Sequence, residues 1–94
     1  MPTLLIEHQV PNYNGWKKAF DSDPLDRKKS GVKSYTIFRD HENSDYVMVT
    51  LEFEKMGEAE SMLERLRKLW NQVEGTVMIG GKAKIIELVE EKEY

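Results

Sequence analysis

The chain has 94 residues, no cysteine and a formal net charge of −3, from 14 Lys and Arg against 17 Asp and Glu. The two signs are interleaved, whereas a nucleic-acid binder needs a concentrated cationic face. The absence of cysteine excludes disulfides, thiolate metal sites and cysteine nucleophiles, and no apolar stretch is long enough to span a bilayer. We therefore expect a cytoplasmic protein that binds neither nucleic acid nor membrane.

The length predicts a single domain over residues 1–94, because no linker, composition shift or internal repeat divides the chain. A domain of this size buries only roughly 60 to 65% of its unfolded surface, so its stability margin is thin unless a partner adds burial. Oligomerisation is therefore expected from size alone.

Strand and helix patterns alternate along the first third of the chain. Residues 3–10 are apolar and β-branched at first and then alternate, which predicts a strand with two chemically different faces. Asn14 is positioned to cap a following helix whose apolar side chains recur at spacings of three and four. Asp23 and Pro24 predict that this helix is kinked or restarted, and Gly31 has the character of a helix C-terminal glycine.

The rest of the chain predicts a hairpin, a helix and a last strand. Residues 32–39 and 46–53 have strand propensity and are separated by a polar turn, so they predict an antiparallel hairpin. The apolar positions of residues 57–73 fall on one helical stripe. After a glycine-containing connection, residues 83–90 alternate as a strand does.

This order predicts an α+β fold of the ferredoxin-like βαββαβ type, with a four-stranded antiparallel sheet and both helices on one face. The other face, called the open face below, is too apolar for water and too polar for a core. We expect it to pair with the open face of a second copy, giving a dimeric α/β barrel that encloses a partly wet cavity. The residues assigned to the open face are Leu5, Glu7, Gln9, Met48, Thr50, Glu52, Ile85 and Glu87.

A spaced set of residues resembles a known family. The set comprises Val10, Tyr13, Trp16-Lys17, Phe20-Asp21, Arg27, Gly31-Val32, Tyr35, Phe38-Arg39-Asp40 and Glu58-Ala59. In these positions the chain is similar to the small stand-alone dimeric α/β-barrel proteins described as cyclase-like or antibiotic-biosynthesis-monooxygenase-like. The resemblance covers residues 3–59 and implies the fold, a sheet-to-sheet dimer and a cavity in each subunit. The activities it implies range from cofactor-independent oxygenation through haem degradation to isomerisation, and fold does not select among them.

The residues disfavour the haem-degrading branch of that superfamily. Its pattern is an Asn on the first strand, a Trp on the second helix and an iron-ligating His after that helix. Trp70 is suitably placed, but no histidine follows His41, and the first strand offers Glu7, His8 and Gln9. Two histidines so far apart, without cysteine, also give no recognisable metal-ligand spacing. We therefore expect neither a metal nor a cofactor.

Three carboxylates are the predicted catalytic residues. Glu7, Glu52 and Glu87 are expected to project from three strands into one cavity, where crowding would leave one of them able to accept a proton from an acidic substrate. The alternative is that they are rim or interface carboxylates paired with basic side chains of either subunit. The basic partners in question are Arg39, Lys82 and Lys84.

Aromatic and polar side chains complete the predicted site. Trp16 and Trp70, one on each helix, either pack in the core or wall a pocket for an aromatic molecule. His8 has the opposite strand parity from Glu7, so we expect it to point toward the helices, as a buried structural residue or as a catalytic one. The predicted substrate-binding set is Gln9, Arg39, Met48, Thr50, Trp16 and Trp70, with Arg39 as the partner of a substrate anion.

Three kinds of function fit these residues. The first is a cofactor-independent enzyme, a monooxygenase or a cyclase-like one, acting on a small aromatic or enolisable molecule, since a deprotonated, electron-rich substrate can itself reduce oxygen. The second is a non-catalytic dimeric module that holds a small molecule in the same cavity. The third is an oligomer whose cavity is filled by its own side chains.

Overall fold

A computed structural model of the protein describes residues 1–75 and 78–94. Its single described sheet has four antiparallel strands in the order β2-β3-β1-β4, which confirms the predicted ferredoxin-like βαββαβ fold. The elements are β1 (Thr3–Gln9), α1 (Tyr13–Asp21), β2 (Val32–Arg39), β3 (Tyr46–Phe53), α2 (Met56–Val73) and β4 (Ile79–Ile86). Within the described residues, no helix is long and apolar enough to cross a membrane.

The two central strands separate the core from the open face. On β1 and β3, alternate side chains point to opposite faces of the sheet. One set is buried with residues from both helices, Trp16 from α1 and Ala59 and Met62 from α2. The buried strand residues are Leu4, Ile6, His8, Val47, Val49, Leu51 and Phe53. The predicted two-faced character of these strands follows directly from this alternation.

Helix α1 begins one residue after Asn12, whose side-chain oxygen accepts a hydrogen bond from the Gly15 N–H at 3.0 Å. Asn14, the predicted cap, lies inside the helix. The cap satisfies one of the four N–H groups that the first turn of any helix leaves without an internal partner.

The predicted second helical piece after Asp23 does not form. Residues 24–30 run through turns instead, and both Asp23 and Asp26 have positive φ angles of 55° and 47°. Aspartate tolerates this left-handed conformation, which ends a helix. The Asp23 carboxylate accepts from the Arg27 N–H at 2.9 Å and so fixes the turn.

Helix α2 runs from Met56 to Val73, close to the predicted stripe. The Glu58 side chain accepts from the Lys55 N–H at 3.3 Å, so the helix start has one half of a capping box made by an acidic side chain. A Cβ at Gly31, which has a φ of 100°, would overlap that same Glu58 carboxylate. The positive φ, which residues with a Cβ rarely adopt, favours glycine at this position between the turn and β2.

Strand β4 lies four residues earlier than predicted. Its last pair joins Ile86 to Thr3, the first residue of β1, so the chain beyond Ile86 has no strand to pair with, although Leu88 and Val89 are apolar. The prediction that Ile85 lies on the open face is wrong. Ile85 pairs with Leu4 and points toward the helices. Glu87 lies beyond the end of the strand and is exposed.

Candidate functional site

The most enclosed of the described cavities, called the main cavity below, lies between the helix-covered face of the sheet and the two helices, and not on the open face. Its volume is about 330 Å³, at the lower end of the range for small-molecule sites. The sheet, α1, the turn after α1, and α2 each contribute a wall. The lining residues are Ile6, His8, Trp16, Ala19, Phe20, Ser22, Asp23, Pro24, Leu25, Arg27, Val49, Leu51, Met62, Leu66, Leu69, Trp70, Val73 and Met78.

Bulky aromatic side chains on α1 form much of one wall of this cavity. Trp16 and Phe20 line the cavity and lie one helical turn apart with ring centroids at 5.2 Å, and the Tyr13 ring contacts Trp16 at 5.7 Å with a tilt of 46°. Residues spaced by three and four positions share one face of a helix. The three rings therefore lie along the side of α1 that meets the sheet, and two of them, Trp16 and Phe20, line the cavity.

His8 is the polar side chain that the sheet contributes to this cavity. It is 3% exposed, and its ring lies edge-on between two indoles, 5.8 Å from Trp16 and 6.1 Å from Trp70 by ring centroids. The predicted orientation toward the helices is thus confirmed. The same residue is buried and also lines a cavity, so burial alone does not make it a structural residue.

The hydrogen bonding of His8 fixes which nitrogen is free. Nδ1 lies 3.1 Å from the Gln9 carbonyl oxygen, which only accepts, so Nδ1 carries the proton and Nε2 is left as an acceptor in the neutral ring. No other described residue forms a hydrogen bond with His8. Burial lowers the pKa of His8 below its ordinary value of 6.5, against smaller opposing effects of the Gln9 carbonyl and the Glu74 charge. Neutral His8 therefore predominates at pH 7.

A bulge in β4 makes room for Trp70 beside His8. Between the pairs Glu7 with Lys82 and Gln9 with Ile79, β4 contains one more residue than β1. A Cβ at Gly81 would lie 2.6 Å from the Trp70 ring, far closer than side chains approach, so the glycine permits the ring to lie against the strand. Gly81 therefore affects the candidate site through Trp70, although the glycine itself does not line the cavity.

The three predicted catalytic carboxylates do not converge. Glu52 pairs with Thr3 and Glu7 lies four residues further along β1, which separates them by about 13 Å along the sheet. Glu7 accepts from the Tyr46 hydroxyl at 3.0 Å, and Glu52 from the Thr3 hydroxyl at 2.7 Å. With Glu87 outside the sheet, none of the three lines the main cavity.

The predicted substrate contacts divide between the two faces. Gln9, Met48 and Thr50 lie on the open face, opposite the cavity. Arg39 pairs with Val47, so it lies on the helix side of edge strand β2, with its guanidinium 4.7 Å from the Tyr13 ring and away from Glu7 and Glu52. Trp16 and Trp70 both line the cavity, and Trp16 also packs in the core, so the two alternatives for the tryptophans are not exclusive. Among the described residues, no group of His, Asp or Glu side chains has the arrangement of a metal site.

Comparison with known proteins gives matches in structure only. No family model matches the sequence, and no curated protein matches it. Among solved structures, SnoaB, described as a cofactor-independent oxygenase from Streptomyces nogalater, is 9% identical with a TM-score of 0.75, over 96% of this chain and 94% of its own.

Two further structures show the same fold. One is described as an antibiotic biosynthesis monooxygenase and is 11% identical with a TM-score of 0.63, over 96% of this chain and 100% of its own. The other, a dimeric ferredoxin-like protein from an uncultured marine organism, is 13% identical with a TM-score of 0.60, over 97% of both chains. These likenesses confirm the resemblance in fold to antibiotic-biosynthesis-monooxygenase-like proteins.

Proposed function

We propose that the chain is a cofactor-independent monooxygenase that converts an acidic CH₂ group of a small planar aromatic molecule into a carbonyl group. The observation that carries the proposal is a neutral, buried His8 whose Nε2 forms no hydrogen bond with any described residue, held between Trp16 and Trp70 in an otherwise largely apolar cavity. The description of SnoaB as a cofactor-independent oxygenase supports the same reaction class.

The chemistry needs only the substrate, molecular oxygen and a base. Nε2 of His8 accepts one proton from the CH₂ group, and the carbanion gives one electron to O₂, so that a substrate radical and superoxide form side by side. They combine through a new C–O bond into a peroxide, which takes the proton back. Loss of water breaks the O–O bond and leaves a C=O group, so one oxygen atom enters the product and the other leaves as water.

The apolar walls contribute to each of these steps. They favour a neutral base before the reaction, since burial disfavours imidazolium. They also exclude water that would protonate the carbanion, and the indole and phenyl rings provide surfaces for a planar substrate. General-base catalysis of this kind contributes about 10²- to 10⁴-fold.

Oxidation of anthrone to anthraquinone tests the proposal, because anthrone has a CH₂ group between two aromatic rings. The wild type should accelerate the reaction and incorporate one atom of ¹⁸O₂ into the product. His8→Gln should lower the rate at least 100-fold, while His41→Gln, in the exposed hairpin turn, should leave it unchanged. A His8→Gln protein that folds and keeps the wild-type rate would exclude His8 as the base.

The carboxylates predicted from the sequence are tested in the same assay. Glu7→Gln and Glu52→Gln retain the shape of each side chain and its capacity to accept from Tyr46 or Thr3. We expect both variants to react within twofold of the wild type. Loss of turnover in either variant, together with an active His8→Gln protein, would show that the base is that carboxylate on the open face and not His8.

Non-catalytic binding is the alternative function, and the cavity by itself is sufficient for it. In that case anthrone would bind, seen as quenching of the fluorescence of Trp16 and Trp70, but would not be oxidised faster than in buffer. If the wild type binds anthrone without oxidising it, the oxygenase proposal is wrong and the protein is a binding module.

The proposal includes a homodimer formed through the open face. Phe38 lies opposite Met48 there and is 51% exposed, and half-buried Leu5 lies beside them. This apolar strip lies between the Glu7–Tyr46 and Thr3–Glu52 hydrogen bonds, and a ferredoxin-like neighbour of the same fold is described as dimeric. Sedimentation should give twice the 11.0 kDa chain mass, and Met48→Lys should give the monomer. The cytoplasmic location stays a prediction, which cell fractionation tests.

A further inference from the structure

We propose that Arg27 makes this cavity selective for aromatic molecules that carry a carboxylate or another anionic oxygen. The inference rests on the proposed use of the cavity as a substrate site and adds the class of substrate. It comes from a charged residue in a wall that is otherwise mostly apolar, on the turn that replaces the predicted second piece of the first helix.

The guanidinium of Arg27 is held over the aromatic wall. Its central carbon lies 3.9 Å from the Phe20 ring centroid and 5.3 Å from that of Tyr35. Nη1 donates to the Phe20 carbonyl oxygen at 2.8 Å, and the side chain is only 19% exposed. An arginine fixed in this way loses little freedom on binding an anion, because its position is already set.

Two donor nitrogens of Arg27 have no partner among the residues that the structure describes. Nη1 is the nitrogen that bonds to Phe20 and lies 3.5 Å from an Asp23 oxygen. No contact joins Nε or Nη2 to another residue of the described chain. These two nitrogens present parallel N–H groups of the kind that binds a carboxylate through both oxygens.

Asp23 is a negative charge in the same wall and would repel a bound anion, but its hydrogen bonding limits this repulsion. The oxygen that faces Nη1 also accepts the Arg27 N–H at 2.9 Å, which ties the carboxylate to the turn. Asp23 therefore orients the arginine and partly offsets its charge. Removing the Asp23 charge while keeping the turn acceptor should strengthen anion binding.

His8 and Arg27 line one cavity, so a single molecule can meet both. Ring contacts of 5.8, 5.2 and 3.9 Å lead from His8 through Trp16 and Phe20 to the guanidinium. A planar molecule whose anionic substituent lies at Arg27 would therefore extend its rings along this row toward His8. The low polarity of the intervening wall strengthens the attraction between the guanidinium and the anion.

Calorimetric titration with 2-naphthoate and 2-naphthamide tests the inference, because the two probes share a shape and differ in charge. The wild type should bind naphthoate at least tenfold more tightly. Arg27→Gln should abolish this preference and leave the Kd for naphthamide unchanged, whereas Lys28→Gln, which removes one charge from the exposed neighbouring residue, should retain it. Asp23→Asn should tighten naphthoate alone.

Each other outcome overturns a defined part of the argument. Equal affinity of the wild type for the two probes, or a preference that survives in folded Arg27→Gln, would remove Arg27 as the selective residue and leave the cavity proposal intact. Arg27→Lys provides a second test if Arg27→Gln does not fold, and it should keep a weaker preference because the charge remains and the paired donors are lost. Binding of neither probe would overturn the aromatic cavity and the selectivity together.

Discussion

The buried His8 should make the protein less stable as pH falls below 6.5. In the unfolded chain a histidine has a pKa of about 6.5, and burial lowers the pKa of His8 in the folded protein. Below pH 6.5 the unfolded chain therefore binds a proton that the folded protein does not, until the pH reaches the folded pKa. The free energy of unfolding falls over this window, by up to about 1.4 kcal/mol per pH unit. The full contribution is present above pH 6.5.

Urea unfolding at pH 7.5 and pH 5.5 measures this contribution. The difference between wild type and His8→Gln should change by up to about 1.4 kcal/mol between the two pH values, since the glutamine does not titrate. All titratable groups other than His8 are the same in the two proteins and cancel in the comparison. A His8→Gln protein with the full wild-type pH dependence would show that His8 is not the buried neutral base of the cavity.

Two further substitutions test the packing of the cavity walls. Gly81→Ala should cost about 1–3 kcal/mol and shift the tryptophan fluorescence, because its Cβ would lie 2.6 Å from both the Trp70 ring and the Met78 side chain. Gly57→Ala, where nothing lies within 4 Å of the new Cβ, is the control and should unfold at or above the wild-type urea concentration. Met62→Ala should cost about 2–5 kcal/mol in a denaturant titration, since Met62 is 1% exposed, and should admit a larger aromatic probe.

The sequence was sufficient for the elements whose own residues decide their structure. Alternation in β1 and β3 assigned their two faces correctly, and the apolar stripe of α2 gave its position within a residue. Strand β4 was misplaced because its end is decided by its partner: Thr3 opens β1 and pairs with Ile86. Leu88 and Val89 continue the apolar pattern but are 74% and 91% exposed.

The alternation of the strands and the apolar stripe of α2 did not predict where the candidate site lies. Strand parity separates two faces but does not indicate which of them adjoins empty space. The polar residues of the open face led to the prediction of a catalytic site there. In the structure, Glu7 and Glu52 instead accept hydrogen bonds from Tyr46 and Thr3. The cavity arises because a nine-residue α1 ends at Asp21 and a turn takes over the wall. One usable signal was a histidine among the apolar residues of β1, since a buried polar side chain needs a compensating reason.

Replacing His8 with leucine tests why this polar side chain is buried. If His8 is structural, its hydrogen bond to Gln9 and its ring contacts outweigh the cost of burying an imidazole, and His8→Leu should destabilise the protein by about 1 kcal/mol or more. If His8 is instead a catalytic residue, leucine removes the cost of burying an imidazole. The Gln9 carbonyl belongs to an exposed residue, so water can replace the hydrogen bond that His8 donates to it. We expect the second result at pH 7: unfolding free energy equal to or above that of the wild type, with loss of anthrone oxidation. A clear loss of stability would assign His8 to the core.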